Sequence, residues 1–231
     1  MTISIAHRGE PVGHRENTIE SFLAACALGA DMVELDCRVS RDGVVIVLHD
    51  PTLTRLWGRD ARPGELDLAE IEALGEPGTR IPTLEAALSA VEVPIMVDVE
   101  DPAVMEPALA VVERCGAFER SLFAGKLDGL LWLRHARPAA RIALSWDRRE
   151  LPADELLGEL RPEYFNPRVD LATEAAIVAM HERGLGVSTW TVDQEQVMAG
   201  LVERGVDAII TNRIAILVDL LGHTGAPAGA S

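Results

Sequence analysis

The feature that most constrains this chain is an alternation repeated eight times along nearly its whole length. Short runs rich in Val and Ile occur at 3–6, 32–36, 95–99, 121–124, 142–145, 163–166, 186–190 and 208–211. Stretches with helical spacing lie between and after them, at 18–28, 83–90, 103–115, 127–135, 153–160, 173–183, 194–203 and 214–220. Parallel neighbouring strands need a crossover connection, so such alternation builds a parallel sheet. Eight units is the count of a closed (β/α)8 barrel, and the expected fold class is α/β, a TIM barrel forming one domain over residues 1–221. Gly29, Gly116, Gly184 and Gly205 follow helices where a left-handed C-cap is wanted, and Asn17-x-x-Glu20 reads as a capping box.

One stretch breaks the alternation: MVELDCRVSRDGVVIVLHD, residues 32–50. A two-residue Asp42-Gly43 turn makes 44–48 antiparallel to the strand before it, a β-hairpin extension that brings His49 back to the level of Glu34 and Asp36. Residues two apart on a strand share a side, so Glu34 and Asp36 stand together while Val33, Leu35 and Cys37 face the other way. Residues 50–82, with four prolines and four glycines, read as a short loop-rich insertion. The small residues of 222–231 read as a flexible tail.

Barrel sites form at the C-terminal ends of strands. Polar residues gather there: His7 and Arg8, Glu34 and Asp36, Asp98 and Glu100, Lys126, Ser145, Asn166, Trp190 and Asn212. Glu34, Asp36 and Asp98 are three carboxylates from two adjacent strands, and a hard cation with oxygen ligands, Mg2+ or Ca2+, best explains such a cluster. His7 and His49 approach from opposite sides of the mouth and can divide general base and general acid roles at neutral pH. His14, His135, His181 and His223 are expected to be structural. A cation, two acid–base groups and a nearby arginine suit attack by water or an internal hydroxyl on a phosphodiester.

The formal net charge of −16 argues against nucleic acid or an anionic membrane surface as partner. No apolar run is long enough to span a bilayer, and no leader precedes the strand beginning at Ile3. With three cysteines that match no zinc spacing, a cytoplasmic location with reduced thiols is expected. Oligomeric state is left open, because Trp132 and Trp146 suit a core or an interface equally.

The motifs AHRG (6–9), ENT (16–18), GADMVELDCRVSRDGVVIVLHD (29–50), IPTLEAAL (81–88) and VSTWTVD…GVDAIITN (187–212) resemble the glycerophosphodiester phosphodiesterase family. The resemblance implies a divalent metal and hydrolysis of glycerophosphodiesters to glycerol 3-phosphate and an alcohol. By motif match it gives His7 and His49 the acid–base roles, Glu34 and Asp36 the metal, Arg8 the phosphate and Trp190 the glycerol pocket, and it sets Glu16 close to the site. Two positions depart from the family pattern. The usual Glu-x-Lys of the third strand is Asp98-Val99-Glu100, and Asn212 stands where Asp is more common. Lys126, the single lysine of the chain, ends the neighbouring strand and is expected to restore the missing ammonium. Glu100 is then expected to turn aside, bind metal or pair with an arginine.

Two other activities compete with hydrolysis. A sphingomyelinase D-like lyase would expel a cyclic phosphate, and a non-catalytic barrel would only bind the glycerophosphodiester. Trp57, Arg55 and Arg59 of the insertion suit either a cover over a ligand or an ordinary surface loop.

Overall fold

The computed structural model describes residues 1–76 and 79–222. Pro77, Gly78 and residues 223–231, which include His223 and all but the first residue of the expected tail, lie outside the described residues.

Eight parallel strands close into a barrel: β1 (Ile3–Ala6), β2 (Met32–Val39), β4 (Ile95–Val99), β5 (Ser121–Gly125), β6 (Arg141–Trp146), β7 (Tyr164–Pro167), β8 (Gly186–Thr189) and β9 (Ala208–Thr211). Closure comes from β1, which pairs with β9 on one side and β2 on the other. The remaining strand, β3 (Val45–Val47), runs antiparallel to the outer half of β2, with Cys37 opposite Val47 and Val39 opposite Val45. It is the expected hairpin, with one difference at the turn. Ser40 and Val44 bond to each other, so the turn holds Arg41, Asp42 and Gly43 rather than two residues. Ser40 Oγ sets that turn by donating to Asp42 Oδ1 at 2.6 Å and accepting from Val44 N at 3.0 Å.

Helices α1 (Ile19–Ala27), α4 (Leu84–Ala90), α5 (Pro102–Arg114), α6 (Leu127–Ala136), α7 (Asp154–Leu160), α8 (Glu174–His181), α9 (Glu195–Glu203) and α10 (Ile214–Leu221) follow the barrel strands. The period-two reading of β2 holds. Val33, Leu35 and Cys37 join the large apolar layer between barrel and helices. Inside the barrel a smaller plug of Ile5, Met32, Met96, Leu122, Ala143 and Ile210 fills the floor beneath the polar mouth. All four anticipated glycines have positive φ, from 64° at Gly116 to 91° at Gly29.

The insertion has more order than its composition suggested. It carries α2 (Thr54–Trp57) and α3 (Leu68–Glu72). Leu53, Leu66, Ile71 and Ile81 bury against Ile46 and Leu48 of the hairpin region as a satellite apolar cluster. The hairpin is therefore clamped between barrel and insertion, and the position of His49 is fixed by packing as well as by pairing.

The capping box expected at the first helix is not what forms. Thr18 is the N-cap, its side chain accepting from Ser21 N at 3.3 Å, while Asn17 sits one residue earlier at φ 58°. Asn tolerates the left-handed region better than most residues. Its amide is spent elsewhere, on a carboxylate of the site.

Candidate active site

His7 and Arg8 emerge directly from β1. His7 N donates to Thr211 O of β9, and Arg8, held at φ 59°, turns its backbone N–H onto Glu34 Oε2 at 2.9 Å. The turn depends on Gly9 at φ 85°, since a Cβ there would collide with the side chain and backbone of Ser21. These contacts lock the first loop against α1, with the His7 and Arg8 side chains lining the cavity at the mouth.

One cavity at the C-terminal mouth is lined by His7, Arg8, Glu34, Asp36, His49, Asp98, Glu100, Asn166 and Trp190, with Met96, Ser145 and Ile210. Asp36 and Asp98 are direct partners across the β2–β4 pair, and Glu34 lies one inward position below Asp36. All three carboxylates thus converge from adjacent strands about 4.8 Å apart. Glu34 and Asp36 are buried. Burial raises Glu34 well above the usual carboxylate range, and the charges of Asp36 and Asp98 add to the effect. Asp98 is pushed up to about 8, by burial first and then by Asp36 and Glu100.

Arginine 8 neutralises part of this negative charge. Its Nε lies 3.2 Å from Asp36 Oδ2 without forming an aligned hydrogen bond, and its Nη1 donates to Glu16 Oε1 at 2.9 Å. Asn17 Nδ2 donates to the same Asp36 oxygen at 2.8 Å. Among the described residues, Glu34 Oε1, Asp36 Oδ1 and both oxygens of Asp98 accept no hydrogen bond, and Asp98 Oδ1 is buried. Among the described residues no group of three or more His, Cys, Asp or Glu is arranged to hold a metal ion as it stands. The donor set nevertheless fits a hard divalent cation: only oxygen atoms, each carboxylate with an oxygen free, and a shared repulsion that a dication would relieve.

The two histidines are held differently. His7 Nδ1 bonds Asn212 Oδ1 at 2.8 Å, and Asn212 is itself held by Asp193, whose Oδ1 and Oδ2 accept from Asn212 N (2.9 Å) and Nδ2 (2.8 Å). The Asn amide therefore orients the imidazole, and the acidic charge stands one bond further back. Burial and the adjacent Arg8 lower the pKa of His7, favouring the neutral ring. His49 Nδ1 bonds Asp50 Oδ1 at 2.9 Å, and this ring is more open to solvent. With each Nδ1 engaged, each Nε2 is the atom left for chemistry.

Most other expected positions are also met at the mouth. Trp190 is half-buried and donates its indole N–H to Asn166 O at 3.0 Å. Asn166 Oδ1 accepts from Ser188 Oγ at 2.8 Å. Glu16 lies beside Arg8 rather than in the cavity wall. Lys126 is the exception. Its ammonium forms an ion pair with Glu100 Oε2 at 3.0 Å and lines the adjoining groove with Trp146 and Asp147, not the cavity of the histidines. The start of α6 carries its side chain outward, and the nearest anion captures it. Glu100 is thus paired with Lys126, a partner outside the three expected outcomes of turning aside, binding metal or pairing with an arginine.

His14 and His181 bond Glu10 and Asp207, and His135 lies 3.6 Å from Glu159, all away from the cavity. Sequence reasoning gave no site role to Asn17, Asp50 or Asp193. Asn17 was masked by its resemblance to a cap, whereas Asp50 and Asp193 lie in the quoted motifs and act on side chains rather than on the cavity.

Comparison with known proteins identifies the fold and the family. Residues 7–216 match the Glycerophosphoryl diester phosphodiesterase family. A Mycobacterium tuberculosis protein named probable glycerophosphodiester phosphodiesterase 2 is 32% identical, over 99% of this chain and 94% of its own. The glycerophosphodiester phosphodiesterase of Caldanaerobacter subterraneus subsp. tengcongensis is 28% identical, over 97% and 99% respectively. Among solved structures, the glycerophosphodiester phosphodiesterase of Thermotoga maritima superposes with a TM-score of 0.83 at 24% identity, covering 95% of this chain and 98% of that one. An Oleispira antarctica phosphodiesterase, solved in complex with the product sn-glycerol-3-phosphate, gives 0.85 at 21% identity, covering 96% and 97%. With the barrel, its outside strand and the match over nearly its whole length, this chain belongs to the glycerophosphoryl diester phosphodiesterase family.

Proposed function

We propose that this enzyme hydrolyses glycerophosphodiesters to glycerol 3-phosphate and an alcohol, with His7 as general base and His49 as general acid. The observation that carries the reading is one cavity in which a neutral-favouring, half-buried imidazole and a second, carboxylate-held imidazole flank three carboxylates with oxygens to spare. His7, held in its tautomer by Asn212, takes a proton through Nε2 from the water whose oxygen forms the new P–O bond. The P–O bond to the alcohol breaks with its electron pair on the leaving oxygen, and His49 Nε2 supplies the proton that neutralises it. Arg8 and Trp190 face the phosphate and the glycerol respectively, and Asn166 keeps Trp190 in place. Glu34, Asp36 and Asp98 would hold a divalent cation, Mg2+ or Ca2+, which when bound supplies charge stabilisation to the phosphoryl oxygens. Lys126 keeps the Glu100 carboxylate paired, so that no unbalanced anion faces the phosphate.

The substrate is a free small molecule in this reading. Among the described residues no helix is long and apolar enough to cross a membrane, and Cys26, Cys37 and Cys115 are unpaired, which suits a reducing cytoplasm. The test is incubation with glycerophosphocholine and Mg2+ or Ca2+, with a chelator control. Glycerol 3-phosphate that disappears with chelator supports the proposal. A cyclic phosphate would favour the lyase reading, and no product at all the binding barrel.

A further inference from the structure

Two side-chain contacts join the insertion to the loop after β1. Arg55, on α2, grips two carboxylates at once. Its Nε and Nη2 donate to Asp50 Oδ2 at 2.6 Å and Oδ1 at 2.9 Å, while Nη1 and Nη2 donate to Glu16 Oε2 at 3.0 Å and Oε1 at 2.7 Å. Asp50 Oδ1 is also the partner of His49 Nδ1, and Glu16 Oε1 also accepts from Arg8 Nη1. Alternating charges Arg8, Glu16, Arg55, Asp50 and His49 therefore run from the loop after β1 to the end of the hairpin. A second contact lies alongside, with the Arg15 guanidinium 4.4 Å from the centre of the Trp57 ring.

We propose that Arg55 is a positioning residue for the proton-delivering step: it holds the Asp50 carboxylate in the plane that keeps Oδ1 on His49 Nδ1 and so presents Nε2 to the leaving oxygen. The inference rests on the two-histidine reading above. A carboxylate next to a histidine in sequence rotates about a soft terminal torsion. A planar guanidinium fork bonded to both its oxygens removes that freedom, which a lysine ammonium, a single point charge, does not. The Arg55 side chain is 48% exposed, so its ion pairs add little to stability, and the consequence falls on turnover. Arg55 itself neither gives nor takes a proton.

The test compares the whole protein with Arg55→Met, the milder Arg55→Gln, and His49→Ala on two substrates with the same divalent cation. Glycerophosphoethanolamine expels an alkoxide that needs a proton, whereas p-nitrophenyl glycerophosphate expels a phenolate that does not. Loss of an aligned acid is worth about 100-fold or more, and loss of its alignment alone should fall below that, about 30-fold. The expected result is such a drop in kcat on the first substrate for both Arg55 variants, less than about threefold on the second, KM nearly unchanged, and partial recovery on adding guanidinium ion. Equal losses on both substrates, or none on the first, overturn the inference. If His49→Ala shows the leaving-group dependence and the Arg55 variants do not, the inference alone fails. If His49→Ala does not show it, the acid assignment fails with it.

Discussion

Replacing Asp98 by Asn in the metal-free protein should make it more stable, and the gain should grow with pH. The reason is the folded-state carboxyl raised from 3.8 to about 8. Below the ordinary value Asp98 is protonated in both states and contributes nothing to a pH dependence. As pH rises past that value the unfolded chain releases the proton while the folded chain retains it, so stability falls until the folded carboxyl ionises near pH 8. At about 1.4 kcal/mol for each tenfold, the full loss is about 6 kcal/mol, and at pH 7 about 4 kcal/mol. Only Oδ1 is fully buried and the residue keeps partial access to the cavity, which halves the effect to about 2 kcal/mol. For a domain of this size that is about 6 °C in melting temperature. Circular-dichroism melts in chelator at about pH 5 and pH 8 measure it: the variant's gain should be full at pH 8 and shrink to about 1 kcal/mol or less at pH 5. Adding Mg2+ or Ca2+ should raise the parent and move the variant less. A variant less stable than the parent at pH 8 in chelator, or a gap independent of pH, would refute the reasoning.

Other outcomes follow from the same geometry. Asp193→Ala should lower kcat about tenfold with KM little changed, because Asn212 loses both anchors and His7 loses its orientation; steady-state kinetics with a melt as control checks it. Lys126→Met should raise KM several-fold and lower kcat by leaving Glu100 unpaired, and adding Glu100→Gln should recover most of the loss in a double-mutant cycle. In the proposed mechanism His7 must be neutral as base, so the acid limb of kcat/KM should fall below the ordinary histidine value, its folded pKa being lowered by burial and Arg8; a pH–rate profile tests this. Gly9→Ala should destabilise the protein by about 2–4 kcal/mol, read by denaturant unfolding, through a strained φ and a clash with Ser21.

The order of elements was determined by the sequence because each rests on a local pattern. Eight apolar runs with crossovers between them leave few arrangements other than a barrel, and period-two alternation in β2 was enough to put Glu34 and Asp36 on one side, over Val33, Leu35 and Cys37. The residues of the mouth were legible too, since side chains at strand ends of a parallel barrel have one direction to converge. Tertiary structure decided what those residues do to one another. Whether Asn17 caps a helix or holds Asp36, whether Lys126 enters the cavity or stops at Glu100, and whether Arg55 lies loose or spans Asp50 and Glu16 are contests among partners distant in sequence. A sequence carries the donors and acceptors. Only the folded chain sets the distances that choose between them.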